Sequence, residues 1–125
     1  MKFKTLLIVL GEPYSIFSEI LFKSFKHNSI KKIKKKIILV GSKELLEKQM
    51  IKLGFKFKLN EIKIQEINKL KIYKDKINII NINYKFKKIF DKISNQFFYY
   101  IKNSFETALK LIKIVAPPCF PKQNR

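Results

Sequence analysis

The sequence predicts an α/β protein with a mostly parallel sheet. Three observations carry that expectation. Residues 6–10 and 36–40 are apolar runs of strand length, and each is closed by a glycine, Gly11 and Gly41. Each run is followed by a segment with helical spacing of apolar residues. Between residues 36 and 59 the pattern reads strand, helix, strand, the form of a parallel crossover.

The first run, Leu6 to Leu10, is too short to cross a membrane and reads as a fully buried strand. Gly11 and Pro13 stop it, and Ser15 or Ser18 is suited to cap the next helix. Glu19 falls in the first turn, where a carboxylate suits the positive helix end. Residues 16–26 read as that helix, with Ile16, Ile20, Leu21, Ser24 and Phe25 on one face. A lysine-dense stretch, residues 31–36, precedes the second strand and reads as a solvated loop; a polyanion-binding patch is its alternative. After Gly41, Ser42 caps a second helix with Glu44 in its first turn and Leu45, Leu46, Gln49, Met50 and Leu53 as its apolar stripe. Gly54 ends it as a left-handed cap. Residues 55–59 alternate with period two, which predicts a half-exposed strand.

Residues 60–76 carry only weak signals, and residues 77–83 read as a further strand. Residues 84–93 form a connector. Phe86, Ile89, Phe90 and Ile93 have helical spacing, but an irregular ordered loop fits equally. The strongest helix signal spans residues 94–113, with Phe97, Ile101, Phe105, Ala108, Leu109 and Ile112 as the expected core stripe. Residues 114–125 change character: Pro117, Pro118 and Pro121 make an irregular tail. The expected organisation is one α/β unit over residues 1–113 and that tail over 114–125.

Composition narrows function. The 125 residues suffice for one modest core, and 46% hydrophobic content argues against disorder. The net charge of +19 raises a polyanion partner as a hypothesis. Against it, every basic residue except Arg125 is lysine, and the lysines are spread along the whole chain. Arginine is the better tool for bidentate phosphate and base contacts. A solvated surface is therefore the expectation, with a small lysine-rich nucleic-acid-binding protein as the alternative. Cys119 is the only cysteine, which excludes a disulfide framework and fits a reducing, cytoplasmic setting. His27 is the only histidine, so no zinc spacing arises, and there is no Walker loop. No apolar run is long enough for a spanning helix.

The residues Gly11-Glu-Pro-Tyr-Ser-Ile-Phe-Ser-Glu19 resemble the N-terminal Gly-Asp/Glu-Pro-Ala/Ser-Gly/Ser-Ile-Gly-Pro-Glu signature of the 4-hydroxythreonine-4-phosphate dehydrogenase family of pyridoxal-phosphate biosynthesis. Three further segments are similar in the same order: residues 37–46, residues 48–59, and Asp91-Lys-Ile-Ser94 with Tyr100-Ile-Lys-Asn-Ser-Phe-Glu-Thr-Ala108. The chain departs from the family at Tyr14, where a small residue is usual, at Phe17-Ser18, which replaces Gly-Pro, and at Phe97-Phe98, which replaces an Asn/Ser-Gly pair. The family's later His-Thr pair and three metal-binding histidines have no match here.

The resemblance implies part of an isocitrate/isopropylmalate dehydrogenase-like α/β/α fold, truncated. It implies an intact parent that oxidises a phosphorylated small-molecule substrate with NAD(P) and a divalent metal (Zn, Mg or Co), as a homodimer with its site between two lobes. Carried over on the signature, Gly11, Glu12, Pro13 and Ser15 are the expected cleft-loop residues, shaping the cleft rather than moving protons. No catalytic residue, cofactor-binding residue or metal ligand is assigned, and the chain alone is expected to lack dehydrogenase activity. A plain α/β fragment without activity is the third reading.

Overall fold

The computed structural model describes residues 5–27, 36–66, 77–92 and 97–115. Four parallel strands form one sheet: β1 (Thr5–Val9), β2 (Lys36–Gly41), β3 (Leu59–Glu61) and β4 (Ile77–Asn81), in the order β1-β2-β4-β3. The register sets Leu6 opposite Ile37 and Val40 opposite Ile80. Among the described residues three helices pack on it: α1 (Phe17–Lys26), α2 (Lys43–Lys52) and α3 (Phe98–Val115). This is the parallel α/β architecture that the sequence predicts.

Strand order explains burial. The central strands β2 and β4 are rich in apolar residues because both of their faces are covered, with the buried Asn78 the polar exception inside β4. Ile38, Leu39, Val40, Ile77, Ile79 and Ile80 are accordingly buried. β1 lies at an edge, so the fully buried first strand expected from residues 6–10 is not found. Leu6 is 41% exposed, and Leu7, Ile8 and Val9 are half-buried. An edge strand has a neighbour on one side only, which composition cannot reveal.

The pleat sends alternate residues to two cores. On one face α1 and α2 cover Leu39, Ile77 and Ile79 with Leu21, Phe22, Leu46 and Met50. On the other, α3 covers Ile38, Val40, Ile80 and Ile82 with Tyr100, Ala108 and Leu111. Phe22 is fully buried and stacks near Phe55 and Phe57, at centroid distances of 5.6 and 6.0 Å. Burial of such a ring contributes about 1.5–3 kcal/mol.

α2 follows its sequence closely. The Ser42 hydroxyl accepts from the Leu45 N–H at 3.3 Å; Leu45, Leu46, Gln49 and Met50 are buried; and Gly54 adopts φ +83°. The faces of the other helices are rotated from expectation. In α1 the buried residues are Ser18, Leu21 and Phe22, while Ile16 and Ile20 are exposed. In α3 the buried line is Tyr100, Ser104, Ala108 and Leu111, continued by Phe97 just before the helix; Phe105, Leu109 and Ile112 are exposed. Each helix is apolar over more than half its circumference, and the position of the sheet selects which arc is covered.

Residues 55–58 alternate in exposure as expected but form no strand, because Phe55 N–H donates to the Met50 carbonyl and Phe57 N–H approaches Met50 Sδ. Strand pairing begins only at Leu59. The connector from Ile82 to Lys92 is irregular rather than helical. The lysine-dense residues 31–35, the weak segment 67–76 and the tail 116–125 lie outside the described residues. Among the described residues, no helix is long and apolar enough to cross a membrane.

Candidate functional site

β1 and β2 end at the same edge of the sheet, and each hands the chain to a helix. The second handover is immediate. Gly41 closes β2, Ser42 caps α2, and the amides of Ser42, Lys43 and Leu45 are each engaged within the protein. Ser42 N–H donates to the Tyr100 hydroxyl at 2.8 Å, and Lys43 N–H donates to Asn81 Oδ1 at 3.0 Å. A helix start commonly receives anions through such amides; here a tyrosine and an asparagine occupy them. Gly41 is required by crowding: a Cβ would lie 2.8 Å from Leu10 Cγ and 2.9 Å from the Tyr100 hydroxyl.

The first handover is longer. Gly11 takes φ +67°, a conformation that costs other residues about 1–2 kcal/mol. A turn follows in which the Ser15 hydroxyl donates to the Glu12 carbonyl at 3.2 Å and accepts from Phe17 N–H at 3.2 Å. The N-cap of α1 is Ile16, which has no side-chain cap. Ser15 thus serves the helix start from one residue further back, and Ser18 is not a cap. Glu19 pairs with Lys23 at 3.1 Å on the outer surface.

The structure brings Glu12 and Pro13 together with Ser18, Ser42, Gln49 and Tyr100 around a cavity of about 20 Å³, room for one water-sized group. Gly11 and Ser15 shape the turn without lining that cavity. Among the described residues, two buried side-chain oxygens have no hydrogen-bond partner, Glu12 Oε1 and Ser18 Oγ, and both residues are in this cavity wall.

Gln49 ties the loop down. Its Nε2 donates to the Pro13 carbonyl at 2.8 Å and to the Ile89 carbonyl at 2.9 Å. The Tyr14 hydroxyl donates to the Lys88 carbonyl at 3.0 Å. The loop after β1 is therefore held against the connector after β4. Tyr14 meets Phe97 edge to face at 4.9 Å, and Tyr84 packs on Phe97 and Tyr100 at 5.6 and 4.7 Å. The bulky residues at positions 14 and 97, both departures from the dehydrogenase signature, fill space against each other.

Burial pushes the Tyr84 phenol well above its usual range, and a hydrogen bond with Tyr14 and the nearby Glu12 carboxylate push the same way. Burial also raises Tyr100, opposed by the Ser42 amide and the Ser104 hydroxyl. Both phenols are neutral near pH 7 and act as hydrogen-bonding groups, not bases.

Gln49, Asn81, Tyr84 and Tyr100 were not singled out as site residues by the sequence. Gln49 carried a signal: a polar side chain in an otherwise apolar stripe needs buried partners. Tyr84 and Tyr100 reach the site, and Asn81 the start of α2, only through tertiary contacts. No metal centre forms among the described residues, where no group of three or more His, Cys, Asp or Glu side chains could hold an ion. His27 lies exposed at the end of α1. The donor set in view does not fit a divalent metal.

No protein-family model matches the chain, and no curated protein sequence matches it. Solved structures do. A 4-hydroxythreonine-4-phosphate dehydrogenase from Burkholderia phymatum is similar over 91% of this chain, with TM-score 0.74 and 16% identity. A candidate 4-hydroxythreonine-4-phosphate dehydrogenase from Salmonella typhimurium is similar over 89%, with TM-score 0.71 and 18% identity. The chain spans about a third of the length of these structures, 34% in each case. At that identity the likeness establishes the fold alone: this chain folds like about a third of each of these structures.

Proposed function

We propose that the chain is a partial lobe of a 4-hydroxythreonine-4-phosphate dehydrogenase-like protein, and that the loop Gly11–Ser15 forms one wall of a cleft for a phosphorylated hydroxy-amino acid. The observation that carries this reading is the superposition on two such dehydrogenases over about nine tenths of the chain, read with the position of the signature loop at the carboxyl edge of a parallel sheet.

The chain's own residues bind and orient. Gly11 turns the backbone, Pro13 and Gln49 fix the loop, and Glu12 offers a carboxylate oxygen that no side chain engages. A nicotinamide cofactor in the intact enzyme accepts hydride. In this chain the Ser42, Lys43 and Leu45 amides at the start of α2 already have partners within the protein. A divalent metal fits no donor set described here, so no step through it is assigned to this chain. The reading therefore makes the chain a substrate-side wall that does not complete the reaction, in a homodimeric parent.

The test adds 4-hydroxythreonine-4-phosphate with NAD or NADP and a divalent metal. The expected result is movement of the Gly11, Glu12 and Ser15 amide NMR signals with no reduced cofactor formed. Turnover would refute the partial-lobe assignment. An unchanged loop spectrum at millimolar ligand would refute the cleft.

A further inference from the structure

The outer side of α2 and the connector after β4 form a surface unlike the rest of the candidate site. Gln49 holds the connector along the helix through the Ile89 carbonyl. This lays two side-chain pairs in parallel: Lys48 Nζ is 5.4 Å from the Phe86 ring centre, and Lys52 Nζ is 6.0 Å from that of Phe90. Lys85, Lys87, Lys88 and Lys92 are exposed on the same connector. The carboxylates there are few. Glu44 pairs with Lys48 at 3.7 Å, and Asp91 accepts the Lys92 backbone N–H. Among the described residues, no carboxylate lies within ion-pair distance of Lys52, Lys85, Lys87, Lys88 or Lys92.

We propose that this lysine–phenylalanine surface binds single-stranded nucleic acid. The inference rests on charge and ring placement and is independent of the dehydrogenase reading. The cations would attract a continuous phosphate backbone, and bound counterions would be released. The rings supply the second requirement. Phe86 stacks on Tyr84 at 6.3 Å, and Lys48 Nζ stands over the Phe86 ring at 5.4 Å. A lysine drawn from the ring to a phosphate leaves that ring face open to a base. Lysine suits this sequence-tolerant mode, which needs point charges rather than bidentate base contacts. A net charge of +19 adds long-range attraction without choosing a face.

The experiment measures binding of a labelled oligothymidylate across a salt series, using the whole chain. The double variant Lys52→Glu/Lys87→Glu is compared with Lys110→Glu/Lys113→Glu, an equal charge change on α3, which covers the opposite face of the sheet. The first double is expected to weaken binding at least about tenfold and to lower the slope of log affinity against log salt by about 1.4. The second is expected to leave the slope in place. Phe86→Leu should weaken the oligonucleotide about fivefold and leave inorganic polyphosphate binding unchanged. Thermal melts confirm that each variant is folded. Equal loss in the two doubles would show attraction by net charge alone and overturn the surface. So would absence of binding by the parent chain, indifference to Phe86→Leu, or equal binding to anionic lipid vesicles through the same lysines.

Discussion

The two strand-to-helix turns at the carboxyl edge of the sheet begin alike and end differently. Both follow an apolar strand, and both contain a glycine. At Gly41 the turn is closed in: a serine cap, a tyrosine hydroxyl and an asparagine oxygen engage three amides at the start of α2. At Gly11 it is open-built: space around the glycine, no side-chain cap on α1, and two buried oxygens without partners. A turn whose amides are engaged by the protein's own side chains has a structural task. Unsatisfied buried groups cost about 1–3 kcal/mol each, so a turn that keeps them is the better candidate for a ligand.

Substitution of the glycines should separate the turns most. Gly41→Ala places a methyl against Leu10 and Tyr100. The Leu10 tip can rotate, but Tyr100 is pinned by Ser42 N–H, so a loss of about 1–3 kcal/mol is expected. Gly11→Ala meets open space and should lose about 1 kcal/mol, from backbone strain alone. Urea unfolding of both variants measures the difference; an equal loss would erase the distinction between a crowded and an open turn.

Tyr100→Phe comes next. It removes the acceptor of the Ser42 N–H and leaves that amide buried, at an expected cost of about 1–2 kcal/mol near pH 7. The same variant has a pH signature. Folding raises the Tyr100 phenol above its ordinary value near 10. Its contribution is therefore complete below pH 10 and is lost as pH rises towards the folded value, because the unfolded chain releases the proton first. Melting temperature should fall less steeply above pH 10 in Tyr100→Phe than in the parent. Parallel curves would remove Tyr100 from the alkaline response, leaving Tyr84, which is raised in the same direction.

The smallest contrast lies in the serines. Ser42→Ala removes a true cap and should cost about 1 kcal/mol. Ser15→Ala removes a contact to the first amide of α1 from outside the N-cap position and should cost a few tenths of that scale. Thermal melts order the two; a reversed order would make the first turn the more rigid one.

Legibility followed the range of the interactions. The turn at Ser42 was readable because capping acts within three residues, and so was the left-handed Gly54. The clamp of Gln49 on Pro13 and Ile89 spans 36 and 40 residues, and the Tyr100 plug spans 58. No local pattern points across such distances. Ile16, Ile20, Phe105, Leu109 and Ile112 show the same limit from the other side. Their spacing marks an apolar arc, yet they are exposed because the sheet meets a neighbouring arc.

The amino-acid sequence alone determined the alternation of strand and helix, the parallel architecture and the place of the signature loop. Each follows from backbone preferences and from apolar periodicity, which act over a few residues. Tertiary structure decided that β1 is an edge strand, which arc of each helix is buried, and that Tyr100 closes one helix start while Glu12 and Ser18 stay unmatched beside the other. Those outcomes depend on which segments meet in space, and close packing fixes that only when the whole chain is assembled.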